Sequence, residues 1–264
     1  MKVALIDAVR AQVRRVRSMY EEIRSTRTLL PPRRLHNVGD GDFAVVGQNY
    51  FDHFIRLGRL RASDRILDVG CGTGRIARPL TTFLDSGTYD GLDIVEDSVR
   101  WCQKAYRRHR NFRFHHADIR NDVYNPTGKY RASEYRFPFA DRSFSFIGLT
   151  SVFTHMLPRD IENYFAQLAR VVTADGRIFA TFFLIDDEVL DLMAHGRAQL
   201  TFDYIGEGCR LNNRDVPEAA VGYRVDDVLT LSRRAGFRAS VFPGAWSGHS
   251  NGTDWQDVVI LTPS

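Results

Sequence analysis

Cysteine is scarce in these 264 residues: Cys71, Cys102 and Cys209 stand far apart and none forms a CxxC pair. Neither a disulfide framework nor a zinc site is expected, and the thiols read as reduced and structural. Lysine is as scarce, for of 36 basic residues only Lys2, Lys104 and Lys129 are lysine, a bias that carries no functional weight. No apolar run reaches the roughly 20 residues that a membrane-spanning helix needs. The amino terminus also lacks the apolar stretch and small-residue cleavage site of a secretory signal, so a soluble cytoplasmic chain is the expectation. Repeats and low-complexity tracts are absent.

What is present is enough apolar sequence, 44% of residues against 26% charged, to bury a substantial core in one domain with an appendage. The net charge of +4 is uneven, because residues 1–34 hold nine basic and three acidic side chains and leave the remainder slightly acidic. A broad nucleic-acid-binding face is therefore not expected, although the leader itself suits phosphate or an anionic surface. Val9, Val13, Val16, Met19 and Ile23 are spaced by three and four, which predicts an amphipathic helical extension over residues 1–34, ended by Pro31-Pro32.

From Arg65 onward short apolar runs alternate with helical stretches. Strands are expected at 65–69, 88–92, 112–115, 144–150 and 177–184, then near 238–242 and 256–262. Helices are expected at 75–84, 97–110, 159–172 and 225–235. Such alternation implies a mostly parallel sheet covered by helices on both faces, a doubly wound α/β fold, in a main domain of residues 35–264. Residues 185–222, rich in Gly, Asn, Asp and Pro and without clear period, are longer than an ordinary connection and read as an insertion or lid.

The chemistry begins where Ile66-Leu67-Asp68-Val69 gives way to Gly70-Cys71-Gly72-Thr73-Gly74, the strand-to-helix junction at which doubly wound folds bind cofactors. Glycine lets the chain turn sharply and brings bare backbone against a ligand. The dinucleotide fingerprint spaces its glycines GxGxxG, whereas Arg75 stands at the third glycine position here. The carboxylate of Asp68 would sit awkwardly beside a pyrophosphate but suits a cationic ligand such as S-adenosylmethionine. Asp93 ends the next strand, where a carboxylate can accept both ribose hydroxyls.

In these residues the sequence resembles the Rossmann-like, seven-stranded S-adenosylmethionine methyltransferases. Three further stretches carry the likeness: His116-Ala117-Asp118-Ile119, Phe137 to Phe144, and Leu168 to Arg177. The resemblance implies a seven-stranded doubly wound sheet with its last strand antiparallel, and S-adenosylmethionine as cofactor. It places Asp68, Gly70, Cys71, Gly72, Gly74, Asp93, Ile94, Ala117, Ile119 and Thr150 in the cofactor site, with Asp118 on the adenine. The family usually has an acid where Ser145 stands.

Methyl transfer from a sulfonium is an in-line displacement, so positioning supplies most of the catalysis. A hydroxyl acceptor must also lose a proton, which calls for a base. The fourth strand runs into Ser151-Val152-Phe153-Thr154-His155-Met156, and His155 at the sheet's carboxyl edge is the candidate general base. A role in capping the next helix or ordering the loop is its alternative. Gly41-Asp42-Phe43, Glu134 to Phe139, Ser151 to Met156 and Pro217 to Tyr223 are similar to a subgroup that includes sugar O-methyltransferases. That likeness implies a small-molecule or saccharide acceptor touched by Asp42, Tyr135, Glu218 and Tyr223. Magnesium between Asp118 and Asp122 is open but not expected, because no third ligand is spaced nearby. Asn125-Pro126-Thr127-Gly128 lacks the second proline and aromatic of a nucleic-acid amino methyltransferase, so no nucleic-acid partner is expected; a homodimer is compatible with the sequence. An N-methyltransferase and a catalytically silent cofactor-binding scaffold stand as alternatives.

Overall fold

The computed structural model describes residues 25–35 and 41–264. The helical extension expected over residues 1–34 therefore lies mostly outside the described residues, of which 25–28 are helical.

Five parallel strands form the centre: β1 (Arg65–Val69), β2 (Thr88–Asp93), β3 (Phe112–His116), β4 (Phe144–Leu149) and β5 (Val172–Ile185). They lie in the order β3-β2-β1-β4-β5. β10 (Asp257–Pro263) inserts antiparallel between β5 and β9 (Phe237–Phe242), completing the Rossmann-like seven-stranded sheet with its one reversed strand. The inner strands read as continuous apolar runs because both faces are covered. Phe146 and Phe179 are fully buried on one side, Ile147, Ile178 and Ala180 on the other.

The first of these faces carries α1 (Phe43–Arg56), α2 (Ala77–Phe83) and α3 (Glu96–Ala105). α1 is a helix that sequence reading passed over. Asp42 caps it by accepting from the Ala44 and Val45 amides, and Phe43, Gly47 and Phe54 form its buried stripe. Phe54 is wholly buried between the rings of Phe146 and Phe179, each 4.9 Å away. At Gly47 a Cβ would lie 2.3 Å from the Arg75 carbonyl, so glycine there lets α1 press on the segment that follows the glycine turn. α3 stops at Ala105, short of the expected 110. Tyr106 turns into the core instead and donates from its hydroxyl to the Gly74 carbonyl at 2.9 Å. The second face carries α4 (Pro158–Val171) and α6 (Val225–Arg234).

Residues 185–222, expected as an insertion or lid, hold regular structure. They contain α5 (Asp187–Ala194), a hairpin of β6 (Tyr204–Gly206) and β7 (Cys209–Leu211), a 3-10 turn at Pro217–Ala219, and the start of β8 (Val221–Arg224). β5 runs past the end of β10, and its last residues, Phe183–Ile185, pair with Gly222–Arg224. Strands of three residues are too short to show a period of two, which is why their pattern was not visible. Phe202, Ala220 and Trp246 pack with Phe183 and Ile185 as a small separate core beneath this segment. Among the described residues no helix is long and apolar enough to cross a membrane.

Candidate active site

The site lies at the carboxyl ends of β1, β2 and β4, where the strand order reverses. Gly70 leaves β1 with φ of 77°, and a Cβ there would come within 2.5 Å of Val152 Cγ2. Only glycine fits both the left-handed conformation and the approach of the loop after β4. Its amide donates to the Leu92 carbonyl at 2.7 Å, which ties the turn to β2.

Asp93 closes that tie. One carboxylate oxygen accepts from the Gly72 amide at 2.6 Å and the other from the Val95 amide at 2.8 Å. Burial raises its pKa, opposed by these two amides. Asp68 lies deeper: Tyr89 donates to its Oδ2 at 2.6 Å, while Oδ1 is buried with no protein partner. Burial pushes the Asp68 carboxyl up to about 7, with the Tyr89 hydrogen bond opposing and the Asp93 charge adding.

Two cavities meet at Gly70, Gly72, Thr150 and Ser151. The smaller, about 540 Å³ with open solvent included, is walled by Asp68, Cys71, Arg75 and the α1 residues Phe43 and Tyr50. The larger, about 960 Å³ on the same measure, runs from Asp93, Ile94, Ala117 and Ile119 past Ser98 to Asn121, Tyr124, His155, Asp160, Tyr164 and Glu218.

His155 sits in a 3-10 turn, Phe153–His155, just past β4. Its Nδ1 lies 3.0 Å from the Glu218 backbone oxygen. A carbonyl can only accept, so Nδ1 carries the proton and Nε2 keeps the lone pair. Burial lowers the pKa of the ring, with the Glu218 and Ala219 backbone opposing. The rings of Tyr124 and His155 pack nearly perpendicular at 5.4 Å between centroids. Burial raises the carboxyls of Asp160 and Glu218.

Not every residue expected at the site lines these cavities. Asp42 is exposed and spends its carboxylate on the α1 cap. Tyr223 is buried in the core, where its hydroxyl donates to the Met156 carbonyl at 2.6 Å. Tyr135 packs on Tyr130 and Phe137. Asp118 accepts from Asn125 Nδ2 at 3.4 Å, and it is its neighbours Ala117 and Ile119 that face the cavity. Gly74 lies beneath the turn against Tyr106. Ser145 hydrogen-bonds Asp64 at the opposite end of the sheet. Conversely, Tyr50, Ser98, Asn121, Tyr124, Asp160 and Tyr164 line the cavities and went unread. The cap at Asp42 followed by Phe43, Gly47, Tyr50 and Phe54 was the available signal for Tyr50. Among the described residues no three His, Cys, Asp or Glu side chains are grouped to hold a metal ion. Asp122, the other magnesium candidate, pairs with Arg120 at 3.3 Å.

Residues 66–176 match the family model of the methyltransferase domain. The fatty-acid O-methyltransferase of Mycolicibacterium smegmatis is 29% identical over 119 residues, covering 44% of this chain and 36% of the relative. The chain spans about two fifths of the length of the curated relatives it matches. A solved Pyrococcus horikoshii protein superposes with a TM-score of 0.58 at 15% identity, covering 87% of this chain and 95% of that one. The Burkholderia thailandensis 1,6-didemethyltoxoflavin-N1-methyltransferase, solved with its substrate and S-adenosylhomocysteine, superposes at 0.53 with 17% identity, covering 84% and 79%. Residues 66–176 are thus similar to a methyltransferase domain, whose methyl donor would be S-adenosylmethionine. The wall fits that molecule. Two carboxylates flank the turn for a ligand carrying an ammonium and a sulfonium, and Asp68 Oδ1 and Ser98 Oγ are buried without protein partners.

Proposed function

We propose that the chain moves a methyl group from S-adenosylmethionine to a hydroxyl of a small molecule or carbohydrate, with His155 as general base. The observation that carries this reading is the Nδ1 contact to the Glu218 carbonyl, which keeps the proton on Nδ1 and the basic lone pair on Nε2 of a residue on the cavity wall.

Asp93 would hold the ribose, Ile94, Ala117 and Ile119 the adenine, and the turn at Gly70 and Gly72 with Asp68 the amino-acid end. Bound there, the cofactor supplies an electrophilic methyl group on a positive sulfur. The chain's remaining work is on the acceptor. Tyr124, Tyr164 and Met156 give it an apolar bed, and Asp160 and Glu218 give hydrogen-bond acceptors to hydroxyl groups. Nε2 of His155 takes the hydroxyl proton as the oxygen attacks, and burial keeps the imidazole neutral at neutral pH. A carboxylate acceptor, as in the name of the mycobacterial relative, is disfavoured because Asp160 and Glu218 would repel it and it needs no base. Likeness to sugar O-methyltransferases at Ser151 to Met156 and Pro217 to Tyr223 supports a carbohydrate.

The acidic wall also suits an amine, which attacks with its own lone pair, and this supports N-methylation as the second reading. His155→Ala decides between them. Labelled methyl donor with sugars, phenols and amines should show hydroxyl methylation falling by about 10²-fold or more, with S-adenosylhomocysteine affinity unchanged. Retention of most of the rate would remove His155 as base and favour the amine; transfer to nothing by the unmodified protein would favour a cofactor-binding scaffold.

A further inference from the structure

We propose that Glu218 is a positioning residue: it anchors the turn Pro217–Ala219 so that its own backbone carbonyl sets the protonation pattern of His155. The inference rests on His155 being the base, and goes beyond it by assigning to the segment before β8 the task of making that histidine basic at the right nitrogen.

Three separate pieces of chain converge on the ring. His155 ends the turn after β4, Asn121 and Tyr124 come from the loop after β3, and Glu218 comes from the far end of the inserted segment. Glu218 is 63 residues from His155 and 96 from Asp122, so nothing in local sequence brings them together. What joins them is the Glu218 side chain. Its Oε2 accepts from the Asp122 amide, and the Asn121 side chain also hydrogen-bonds it. Asn121 in turn holds its own loop, its Oδ1 accepting from the Val123 and Tyr124 amides at 3.1 and 2.9 Å. Its Nδ2 reaches the His155 carbonyl at 3.5 Å.

Beside the Ala219 backbone contact to the His155 ring, the turn has few other ties at that place. Ala219 donates to Val216 within the turn, and Asn212 donates to Ala220 at 3.1 Å. Neither bond reaches the loop after β3 or the turn after β4. Residue 218 is therefore fixed toward the site by its carboxylate on one side and by the His155 contact on the other. A half-buried carboxyl whose attraction is spent on backbone and amide N–H groups is oriented as a strut. Remove it, and the carbonyl over Nδ1 is free to drift. The ring would then lose its reason to keep the proton on Nδ1, and the Nε2–H form that free imidazole side chains prefer would point its proton, in place of its lone pair, at the acceptor.

Glu218 shares the cavity wall with Asp93, Arg120, Tyr124, Asp160 and Tyr164, the other titratable groups there, so the test must distinguish holding the base from touching the acceptor. Nitrogen-15 chemical shifts of His155 report the tautomer and the titration midpoint without any acceptor present. The unmodified protein should show the Nδ1–H form and a midpoint below the ordinary value of 6.5. Glu218→Ala should shift the ring toward the Nε2–H form, lower the midpoint further because the carbonyl that opposes burial is lost, and slow hydroxyl methylation by about 10-fold or more. Its affinity for S-adenosylhomocysteine, measured by calorimetry, should stay the same and show that the fold is intact. Glu218→Gln keeps an oxygen that can accept from the Asp122 amide, so it should restore the tautomer and most of the rate. An unchanged tautomer and midpoint in Glu218→Ala would overturn the proposal, as would Glu218→Gln behaving like the alanine variant. Because the spectra need no turnover, absence of methyl transfer would count against the base and leave the positioning result to be read independently.

Discussion

Tyr89 donates a 2.6 Å hydrogen bond to Oδ2 of Asp68, joining two buried side chains on adjacent strands directly beneath the glycine turn. The bond holds one carboxyl oxygen and leaves Oδ1 without a protein partner. Burial dominates, and the carboxyl rises to about 7 from an ordinary 3.8. Because the folded state binds this proton more tightly, the ionisation weakens folding as pH rises from about 4 to about 7. Asp68→Asn should therefore raise the melting temperature of the ligand-free protein at pH 8 and much less at pH 4. A cation arriving beside Asp68 favours its ionised form. Binding of S-adenosylhomocysteine near pH 6.5 should then release a proton, visible as a binding heat that depends on the buffer's ionisation enthalpy. In Asp68→Asn that dependence should vanish.

The part of the site built on consecutive sequence was legible. Asp68, the glycine turn and Asp93 belong to strand-turn-helix units whose apolar runs and glycine spacing are local, so residue order alone places them together. The acceptor half was less so, because it is assembled from loops. His155 was readable from its place after β4, but Asn121 and Tyr124 lie in a loop whose route is fixed by bonds among Asn121, Asn125 and Asp118. Tyr223 reads as well as Glu218 for contact with an acceptor, yet alternation along β8 turns its ring into the core toward Met156. α1 was missed although its cap and stripe are present, because Gly47 and the β-branched pair Val45-Val46 weaken a helical pattern that tertiary contact with Arg75 then stabilises.

Asp93→Asn tests the ribose assignment together with the tie it makes to the turn. The amide can still offer one oxygen, but its NH2 group would face an amide donor at either Gly72 or Val95. Affinity for S-adenosylhomocysteine should fall by about 10-fold or more, since a hydrogen bond to a charged group is lost with a mismatched donor left behind. The melting temperature should fall as well. Unchanged affinity in calorimetry would remove Asp93 from the ribose site.

Gly70→Ala should abolish cofactor binding while leaving far-ultraviolet dichroism intact. The added methyl meets Val152 Cγ2 at 2.5 Å, and φ of 77° is unfavourable for alanine by about 1 kcal/mol. Val152→Ala removes the clash but not the backbone cost. The double variant should therefore recover part of the binding lost in Gly70→Ala, and equal binding by the single and double variants would show that the contact with Val152 does not govern the turn.

Phe54→Ala measures how firmly α1 is held. The ring is fully buried between Phe146 and Phe179, and Gly148 lies directly against it. Truncation should cost about 3 to 5 kcal/mol in denaturant unfolding, with no change in slope. Because α1 also carries Phe43 and Tyr50 on the smaller cavity, cofactor affinity should fall with it. A loss of stability without loss of affinity would mean that α1 supports the sheet alone.

The rate of hydroxyl methylation should follow the neutral fraction of His155. Burial disfavours the imidazolium, so the pKa lies below its ordinary 6.5 and the base stays unprotonated through neutral pH. The profile of kcat/KM should be level near pH 7 and fall tenfold per unit on the acid side, with its bend below 6.5. Asp160 and Glu218, whose carboxyls are raised by burial, will gain protons on the same acid limb and steepen it. Asp160→Asn should take away part of that added steepness and leave a single-proton fall that belongs to the histidine. A bend above 6.5 would place the proton-accepting group elsewhere in the cavity, with a tyrosine such as Tyr124, raised by burial and by the Asp93 charge, next to be tested by substitution with phenylalanine.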